Sequence, residues 1–167
     1  ASLFMFTLRL CTENLLYFVH LRKTLYSPGS LPGKEVLQSP RAVLKAQIAE
    51  AKKRGYVFKS GVEAEFFILS SNKDAISDSR DTQSKPCYDA QSMMRRYALL
   101  ADIVKTLNAC GFGVYQTDHE DANGQFEINW HYQDCLTTAD QHIFFKWAVK
   151  TLAERHGFCA TFRTALG

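Results

Sequence analysis

The sequence predicts an α+β fold in which helices cover one face of an antiparallel sheet. The first observation is an Asn-Gly pair, Asn123 and Gly124, that lies between two segments of alternating apolar and polar residues. Asn-Gly in this setting is the strongest short-range signal for a β-hairpin. The second is that helix-type patterns with start and stop signals occur on both sides of the hairpin. A hairpin flanked by helices is typical of a sheet whose apolar face those helices cover.

The composition is that of one ordinary globular domain. The chain has 167 residues, of which 46% are hydrophobic and 22% charged, enough for one core but not for two comfortable domains. Its 20 basic and 17 acidic residues form no block, so neither nucleic acid nor a membrane is indicated as a partner. The five cysteines contain no CxxC pair. They are typical of reduced thiols in a cytoplasmic protein rather than of a disulfide framework or a zinc site.

The beginning of the chain is hard to assign. Residues 1–26 are apolar, but charged residues interrupt every run well short of the about 20 residues that a membrane span needs. Nothing in this segment suggests a signal peptide, and its period does not decide between a helix and a strand pair. Residues 27–33, SPGSLPG, have the composition of a loop.

The first clear helix follows this loop. Ser39 before Pro40 is typical of an N-cap with proline at the first helical position. The helix is expected to end near Arg54, with Gly55 in the left-handed position. Its apolar stripe consists of Leu44, Ile48 and Ala51.

A strand is predicted over residues 61–69, GVEAEFFIL, because it is rich in aromatic and branched residues. Alternation places Glu63 and Glu65 on one face, opposite Val62, Ala64 and Phe66. Residues 70–86 have little apolar content, so they are predicted to form a long exposed loop, of a length that is usually functional or mobile.

Two further helices are predicted around the hairpin. Asp89 can cap the first of them, which Gly111 ends. Its predicted core stripe is Met93, Met94, Tyr97, Leu100, Ala101, Val104 and Leu107. Thr137 and Asp140 approximate a capping box at the start of the second helix, which Gly157 stops. Its predicted buried face is Phe144, Phe145, Ala148, Val149 and Leu152. Residues 158–162 are predicted to form the last strand.

The hairpin carries acids on one face. If its turn has two residues, Glu120 lies directly opposite Glu127. Like charges opposite each other destabilise a strand pair, so such a pair calls for a cation or a protonation shift. The same face is predicted to carry Gln116, Asp118 and Asn129, and the apolar face Phe126, Ile128 and Trp130.

Four acids therefore lie on predicted strands: Glu63, Glu65, Glu120 and Glu127. If the two strand units are neighbours, these acids converge, and their oxygen atoms fit Mg²⁺ or Mn²⁺ better than zinc. Two other interpretations stay open at this point. The acids can simply face solvent on a half-exposed sheet, or two of them can act as the acid and base of a glycosidase.

The motifs, read together, resemble a known family. GVEAEFF is followed by DHEDANGQFEINW and then by TADQHIFFKWAVKTLAERHGFCATF. These segments resemble the catalytic domain of glutamine synthetases. Their sequences are most similar to the branch that includes glutamate-methylamine ligases and related bacterial type III-like enzymes. The resemblance covers residues 27–162, which we take as a partial catalytic domain. Residues 1–26 and 163–167 are atypical of the family.

The resemblance implies a metal-dependent ligase. Glu65, Glu120 and Glu127 match the acids that hold one divalent metal, and Glu63 matches a contributor to a second. ATP would be the co-substrate, with glutamate and either ammonia or a small amine, and the reaction would pass through γ-glutamyl phosphate. The resemblance also implies that the full-length proteins are homo-oligomers built as two stacked hexameric rings. His119 either supports a metal ligand through a hydrogen bond or is an ordinary exposed or packed histidine.

The same resemblance implies that the chain is a fragment. Other metal ligands and the substrate-binding arginines of the family belong to segments that this sequence does not contain. We therefore expect the isolated chain not to turn over. The alternative is a non-catalytic module derived from the family, which binds metal or forms oligomers.

Overall fold

The computed structural model describes residues 36–162. The predictions for residues 1–26 and for the tail at 163–167 lie outside the described residues, as does the loop predicted at 27–33. Within the described range, the helices are all too short or too polar to cross a membrane.

The chain divides into two compact units. Among the described residues, the first unit contains 36–60 and 133–138, and the second contains 61–132 and 139–162. In chain order the elements are α1 (Pro40–Lys53), β1 (Lys59–Ser60), β2 (Ala64–Leu69), α2 (Ala90–Arg95), α3 (Tyr97–Ala109), β3 (Val114–His119), β4 (Gln125–Trp130), β5 (Gln133–Asp134), α4 (Cys135–Arg155) and β6 (Cys159–Thr161). In the first unit β1 pairs antiparallel with β5, a pairing that the sequence did not predict.

The second unit is built on a four-stranded sheet with the strand order β3-β4-β2-β6, in which every neighbouring pair is antiparallel. Its apolar face contributes Ala64, Phe66, Ile68, Phe126, Ile128 and Trp130, all buried. Phe145 of α4 packs on this face, with its ring centroid 5.8 Å from that of Phe66 and 5.3 Å from that of Trp130. The α+β class with helices covering an antiparallel sheet is therefore confirmed.

Helix α1 has the predicted ends. The Ser39 hydroxyl accepts a hydrogen bond from the amide of Ala42 at 3.2 Å, and Pro40 opens the helix. Gly55 follows the helix with φ of 83°, a conformation that glycine adopts without steric penalty. The predicted stripe is only half-buried in this unit, and Ala42 is the buried residue of the helix.

The loop predicted at 70–86 has no helix or named strand, but the prediction that it is exposed is wrong for two acids. Asp78 and Asp81 are 6% and 1% exposed. Buried carboxylates need partners, and Asp78 accepts hydrogen bonds from the side chain of Arg95 and from the amide of Arg80. The sequence pattern could not reveal these partners because they come from other parts of the fold.

The single helix predicted after Asp89 is two helices. Asp89 caps α2 as predicted, accepting from the amide of Gln91 at 2.9 Å, but the helix breaks at Arg96, whose φ is −114°. The guanidinium of Arg96 donates to the hydroxyl of Ser77 at 2.8 Å, so a tertiary hydrogen bond accompanies the break.

The break also changes the buried face. Met94 and Tyr97 of the predicted stripe are 64% and 61% exposed, which contradicts the prediction for these two residues. The buried residues of α3 are Leu99, Leu100, Ile103 and Leu107.

Helix α4 begins two residues before the predicted start. The carboxylate of Asp134 accepts a hydrogen bond from the amide of Thr137 at 3.0 Å. Asp134 rather than Thr137 therefore caps the helix, by pairing with a backbone amide of its first turn. The predicted buried face of this helix is confirmed, and Gly157 follows its end with φ of 77°. The last strand is shorter than predicted, with three residues.

Candidate functional site

The hairpin forms, but the two-residue turn is wrong. The amide of Glu120 donates to the carbonyl of Gln125 at 3.0 Å, and Asp118 lies opposite Glu127. A two-residue Asn-Gly turn of the usual type needs positive φ at both central residues, whereas only Gly124 in this turn has one, at 74°. The connection is therefore longer and shifts Glu120 away from the position opposite Glu127.

Three of the four predicted acids still come together. Strands β2 and β4 are neighbours, and Glu65 lies directly opposite Glu127 in their register. Glu120, just after the end of β3, completes a group in which one carboxylate oxygen of each residue lies within 4.8 Å of the others. We call Glu65, Glu120 and Glu127 the carboxylate cluster. Glu127 is buried, Glu120 half-buried and Glu65 exposed.

Electrostatics disfavour three charged carboxylates at this position. Burial raises the pKa of Glu120, and the neighbouring carboxylates of Glu127 and Glu65 raise it further. Burial likewise raises the pKa of Glu127, an effect that its hydrogen bond from Asn129 opposes and that Glu63 and Glu65 increase. The folded chain therefore holds its acids close together at a cost in electrostatic energy.

Two amides on the same sheet face fix the orientation of the carboxylates. The side-chain amide of Asn129 donates to Oε1 of Glu127 at 2.5 Å, and that of Gln125 donates to Oε2 of Glu65 at 2.7 Å. The carbonyl oxygen of the Gln125 side chain also accepts from the amide of Ala122 at 3.0 Å, so Gln125 links the turn to the cluster. Sequence reasoning assigned Gln125 no independent role.

The donor set fits a hard divalent cation. All three groups are carboxylates, the ligands that Mg²⁺ and Mn²⁺ prefer, and the group contains no histidine or cysteine. Two ligands on opposite sides of an octahedral Mg²⁺ lie about 4.2 Å apart, twice the usual Mg–O distance. The oxygen atoms of the cluster, within 4.8 Å of one another, need only small side-chain movements to share one ion.

Glu63, the fourth predicted acid, lies outside the cluster. It is exposed and precedes β2. It lines a cleft of about 570 Å³. The other residues that line this cleft are Gly61, Val62, Tyr115, Asn129, Trp130, His131 and Tyr132.

The structure also reveals a buried acid that sequence reasoning missed. Asp81 contacts Nε2 of His119 through Oδ2 at 2.7 Å, and the same oxygen accepts from the amide of Gly124 at 2.6 Å. His119 is fully buried, so it is packed rather than exposed. Nothing in the polar sequence around Asp81 distinguishes it from a solvent-facing loop acid.

Comparison with protein families matches residues 37–165 to the family described as glutamine synthetase, catalytic domain. A glutamine synthetase of Rhizobium leguminosarum bv. phaseoli is 55% identical over 129 residues, which are 77% of this chain and 30% of that protein. A glutamate–methylamine ligase of Methyloversatilis universalis is 40% identical over 136 residues, 80% of this chain and 31% of that protein. The chain thus spans about 30% of the length of these relatives.

Solved structures of proteins related to glutamine synthetase also resemble this chain. A complex of GmaS with ADP superposes with a TM-score of 0.75 at 52% identity, over 78% of this chain and 30% of that one. The glutamine synthetase of Plasmodium falciparum gives a TM-score of 0.60 at 24% identity, over 78% of this chain and 31% of that one, and supports the fold alone.

Proposed function

We propose a function from the premise that this chain belongs to the glutamine synthetase family. The chain is part of an ATP-dependent ligase that joins the side-chain carboxyl group of glutamate to ammonia or to a small amine such as methylamine. The carboxylate cluster holds one Mg²⁺ or Mn²⁺, and Glu63 contributes to a second. The whole protein acts as a homo-oligomer.

The observation that supports this most is the pairing of Glu65 with Glu127 across β2 and β4, with Glu120 within reach of both. Like charges that lie directly opposite each other across two strands destabilise the pairing, by about 0.2–1 kcal/mol. This repulsion does not stabilise the sheet, whereas a bound divalent cation would attract each of the carboxylates and outweigh the repulsion between them. The arrangement therefore supports metal binding more than a solvent-facing acidic patch.

The proposed reaction has two steps. The γ-phosphoryl group of ATP is transferred to the side-chain carboxylate of glutamate, which releases ADP and gives an acyl phosphate. The amine nitrogen then attacks the acyl carbon, phosphate leaves, and the nitrogen loses a proton. Divalent metal, when bound, neutralises charge on the phosphate oxygens during the transfer.

The residues of this chain contribute position and charge. Glu127, buried on the sheet, and Glu65, directly opposite it, supply anionic oxygens from a rigid strand pair. The amides of Asn129 and Gln125 hold these two carboxylates in fixed orientations. The apolar residues on the opposite face keep the strands in register.

A manganese titration tests the metal site. We expect the wild type to bind Mn²⁺ and Glu120→Gln to bind it at least tenfold more weakly, because the substitution removes one anionic ligand and little volume. Glu154→Gln is the matched control, since it removes the same charge from an exposed position near the end of α4. Equal affinity of the wild type and Glu120→Gln would remove the basis for the metal site.

Turnover is tested separately. Because the chain spans about 30% of the length of its relatives, we expect the purified 167 residues to bind metal without ATP- and glutamate-dependent phosphate release. Phosphate release by this chain would contradict that expectation. A longer protein that contains this chain and binds metal without turnover would favour the alternative, a metal-binding or oligomer-forming module.

A further inference from the structure

We propose that Asp81 is a positioning residue that holds Glu120 in the carboxylate cluster by fixing the hairpin on both sides of it. The inference rests on the proposed function, because its consequence is measured as metal affinity. Asp81 does not touch the cluster. It acts through His119, which precedes Glu120, and through Gly124, which ends the turn that follows.

The contacts of Asp81 span a long stretch of sequence. Its Oδ2 atom lies 2.7 Å from Nε2 of His119, 38 residues away, and 2.6 Å from the amide nitrogen of Gly124, 43 residues away. Asp81 is 1% exposed, so water does not compete for these contacts. One oxygen atom thereby joins the end of β3 to the turn.

The His119 side is held by three further contacts. Its Nδ1 atom donates to the carbonyl of Pro86 at 2.9 Å, and its ring packs edge-on against Phe126 with centroids 5.3 Å apart. Its own carbonyl accepts from the amide of Tyr88 at 2.8 Å. The residue directly before Glu120 is thus fixed through both its ring and its backbone.

The Gly124 side is equally confined. A side chain at this position would begin 2.8 Å from Cγ2 of Ile76, so the loop that carries Asp81 packs against the turn without space between them. The carbonyl of Gly124 accepts from the amide of Ile68 in β2, at 3.0 Å. The turn is therefore joined both to the Asp81 loop and to the strand that carries Glu65.

Glu120 needs this support because it lies outside the regular strands. Strand β3 ends at His119 and β4 begins at Gln125. A ligand on a loop has to be ordered before it binds, and ordering a residue costs conformational entropy. Contacts that order Glu120 in advance move this cost from metal binding to folding.

The cost of burying Asp81 also points to a role beyond packing. Its second oxygen, Oδ1, is buried without a hydrogen-bond partner among the described residues. Filling such a position with apolar groups of similar shape is often neutral or stabilising. A buried acid with an unpartnered oxygen lowers the stability of the fold. What Asp81 supplies in return is the contact of its other oxygen with His119 and Gly124, which fixes the hairpin.

Substitution of Asp81 tests the inference, with Asp78 as the matched control. Both acids are buried in the same loop, but Asp78 is paired with Arg95 and Arg80 rather than with the hairpin. We expect Asp81→Asn to weaken Mn²⁺ binding about tenfold, the lower end of the range for groups that support metal ligands. Asp81→Ala should weaken it more, because asparagine keeps one oxygen for the Gly124 amide. Asp78→Asn should lower stability with less than a twofold change in affinity.

The outcomes separate this inference from the proposed function. If Glu120→Gln binds Mn²⁺ as tightly as the wild type, the metal site itself fails. If Glu120→Gln loses affinity and Asp81→Asn does not, the positioning role alone is refuted. An equal loss in Asp81→Asn and Asp78→Asn would also refute it, because the effect would then follow general loosening of the loop.

A measurement on the wild type covers the case in which the Asp81 variants do not fold. Coupling is reciprocal, so if the ordered turn favours the metal, the metal must favour the ordered turn. We expect Mg²⁺ to slow hydrogen exchange at the Gly124 amide more than at the Arg80 amide, which donates to Asp78. Equal changes at the two amides would overturn the inference.

Discussion

Two successive residue pairs on β2 and β4 have opposite chemistry. Phe66 lies opposite Phe126 and Glu65 lies opposite Glu127, at adjacent positions of one antiparallel ladder. The phenylalanine pair is buried, with ring centroids 6.3 Å apart, and the glutamate pair belongs to the carboxylate cluster on the other face. The backbone pairing is shared, so the contrast between the faces comes from the side chains alone.

The aromatic face contributes more to the stability of the sheet than the acidic face costs. A like-charged pair directly opposite costs about 0.2–1 kcal/mol relative to neutral residues. Removing a buried phenylalanine side chain typically costs about 3–5 kcal/mol. The aromatic face therefore outweighs the acid face several-fold, and the sheet can hold its carboxylates together without a cation. The repulsion lowers the free energy of unfolding but does not prevent the sheet from forming.

The largest expected effect comes from breaking the aromatic pair. Phe66→Ala should lower the free energy of unfolding by about 3–5 kcal/mol, because its ring also packs against Phe145 at 5.8 Å and Phe162 at 6.2 Å. Denaturant unfolding of the metal-free chain measures it. Met94→Ala, at a 64% exposed position, should change stability by less than about 0.5 kcal/mol. A loss below about 1 kcal/mol for Phe66→Ala would contradict the dominance of this face.

The alternation of the two faces was predictable from sequence because it is local. Val62, Ala64 and Phe66 alternate with Glu63 and Glu65 just before and at the start of β2, and a period of two assigns each residue to a face without knowledge of the neighbouring strands. The start of α1 was predictable for the same reason, since Ser39 and Pro40 act within one helical turn. Local steric and capping rules are sufficient for such features.

The parts that failed or stayed open depend on distant contacts. The register of the hairpin depends on a turn in which the side-chain oxygen of Gln125 accepts a hydrogen bond from the amide of Ala122. The Asn-Gly pair alone does not specify this longer turn. The adjacency of β2 and β4, which pairs Glu65 with Glu127, joins segments about 60 residues apart, the separation of Glu65 and Gln125. Asp81 was missed because both of its partners lie about 40 residues further along the chain.

Neutralising the acid pair should have a smaller effect of the opposite sign. Glu127→Gln should raise the free energy of unfolding of the metal-free chain by about 0.5–1 kcal/mol, because it removes repulsion and keeps an oxygen for the amide of Asn129. Added Mg²⁺ should reverse the order of the two proteins, since a ligand stabilises only the protein that binds it. Glu154→Gln, on the exposed surface of α4, should give no gain. A less stable Glu127→Gln in metal-free buffer would show that the repulsion is negligible.

The smallest expected effect is the pH dependence of that gain. Burial raises the pKa of Glu127 above its ordinary value of 4.5, so between these two values the folded state binds more protons than the unfolded state. Stability attributable to this group therefore falls as pH rises through the window, and its cost is complete above the raised pKa. The advantage of Glu127→Gln over the wild type should be full near neutral pH and should shrink as the pH falls towards about 4.5. Acids with lowered pKa, such as Asp78 and Asp89, act in both proteins and cancel in the difference. Denaturant titrations of the two proteins in metal-free buffer at several pH values measure the gap, and a gap that stays constant or widens on acidification would mean that Glu127 does not bear the repulsion.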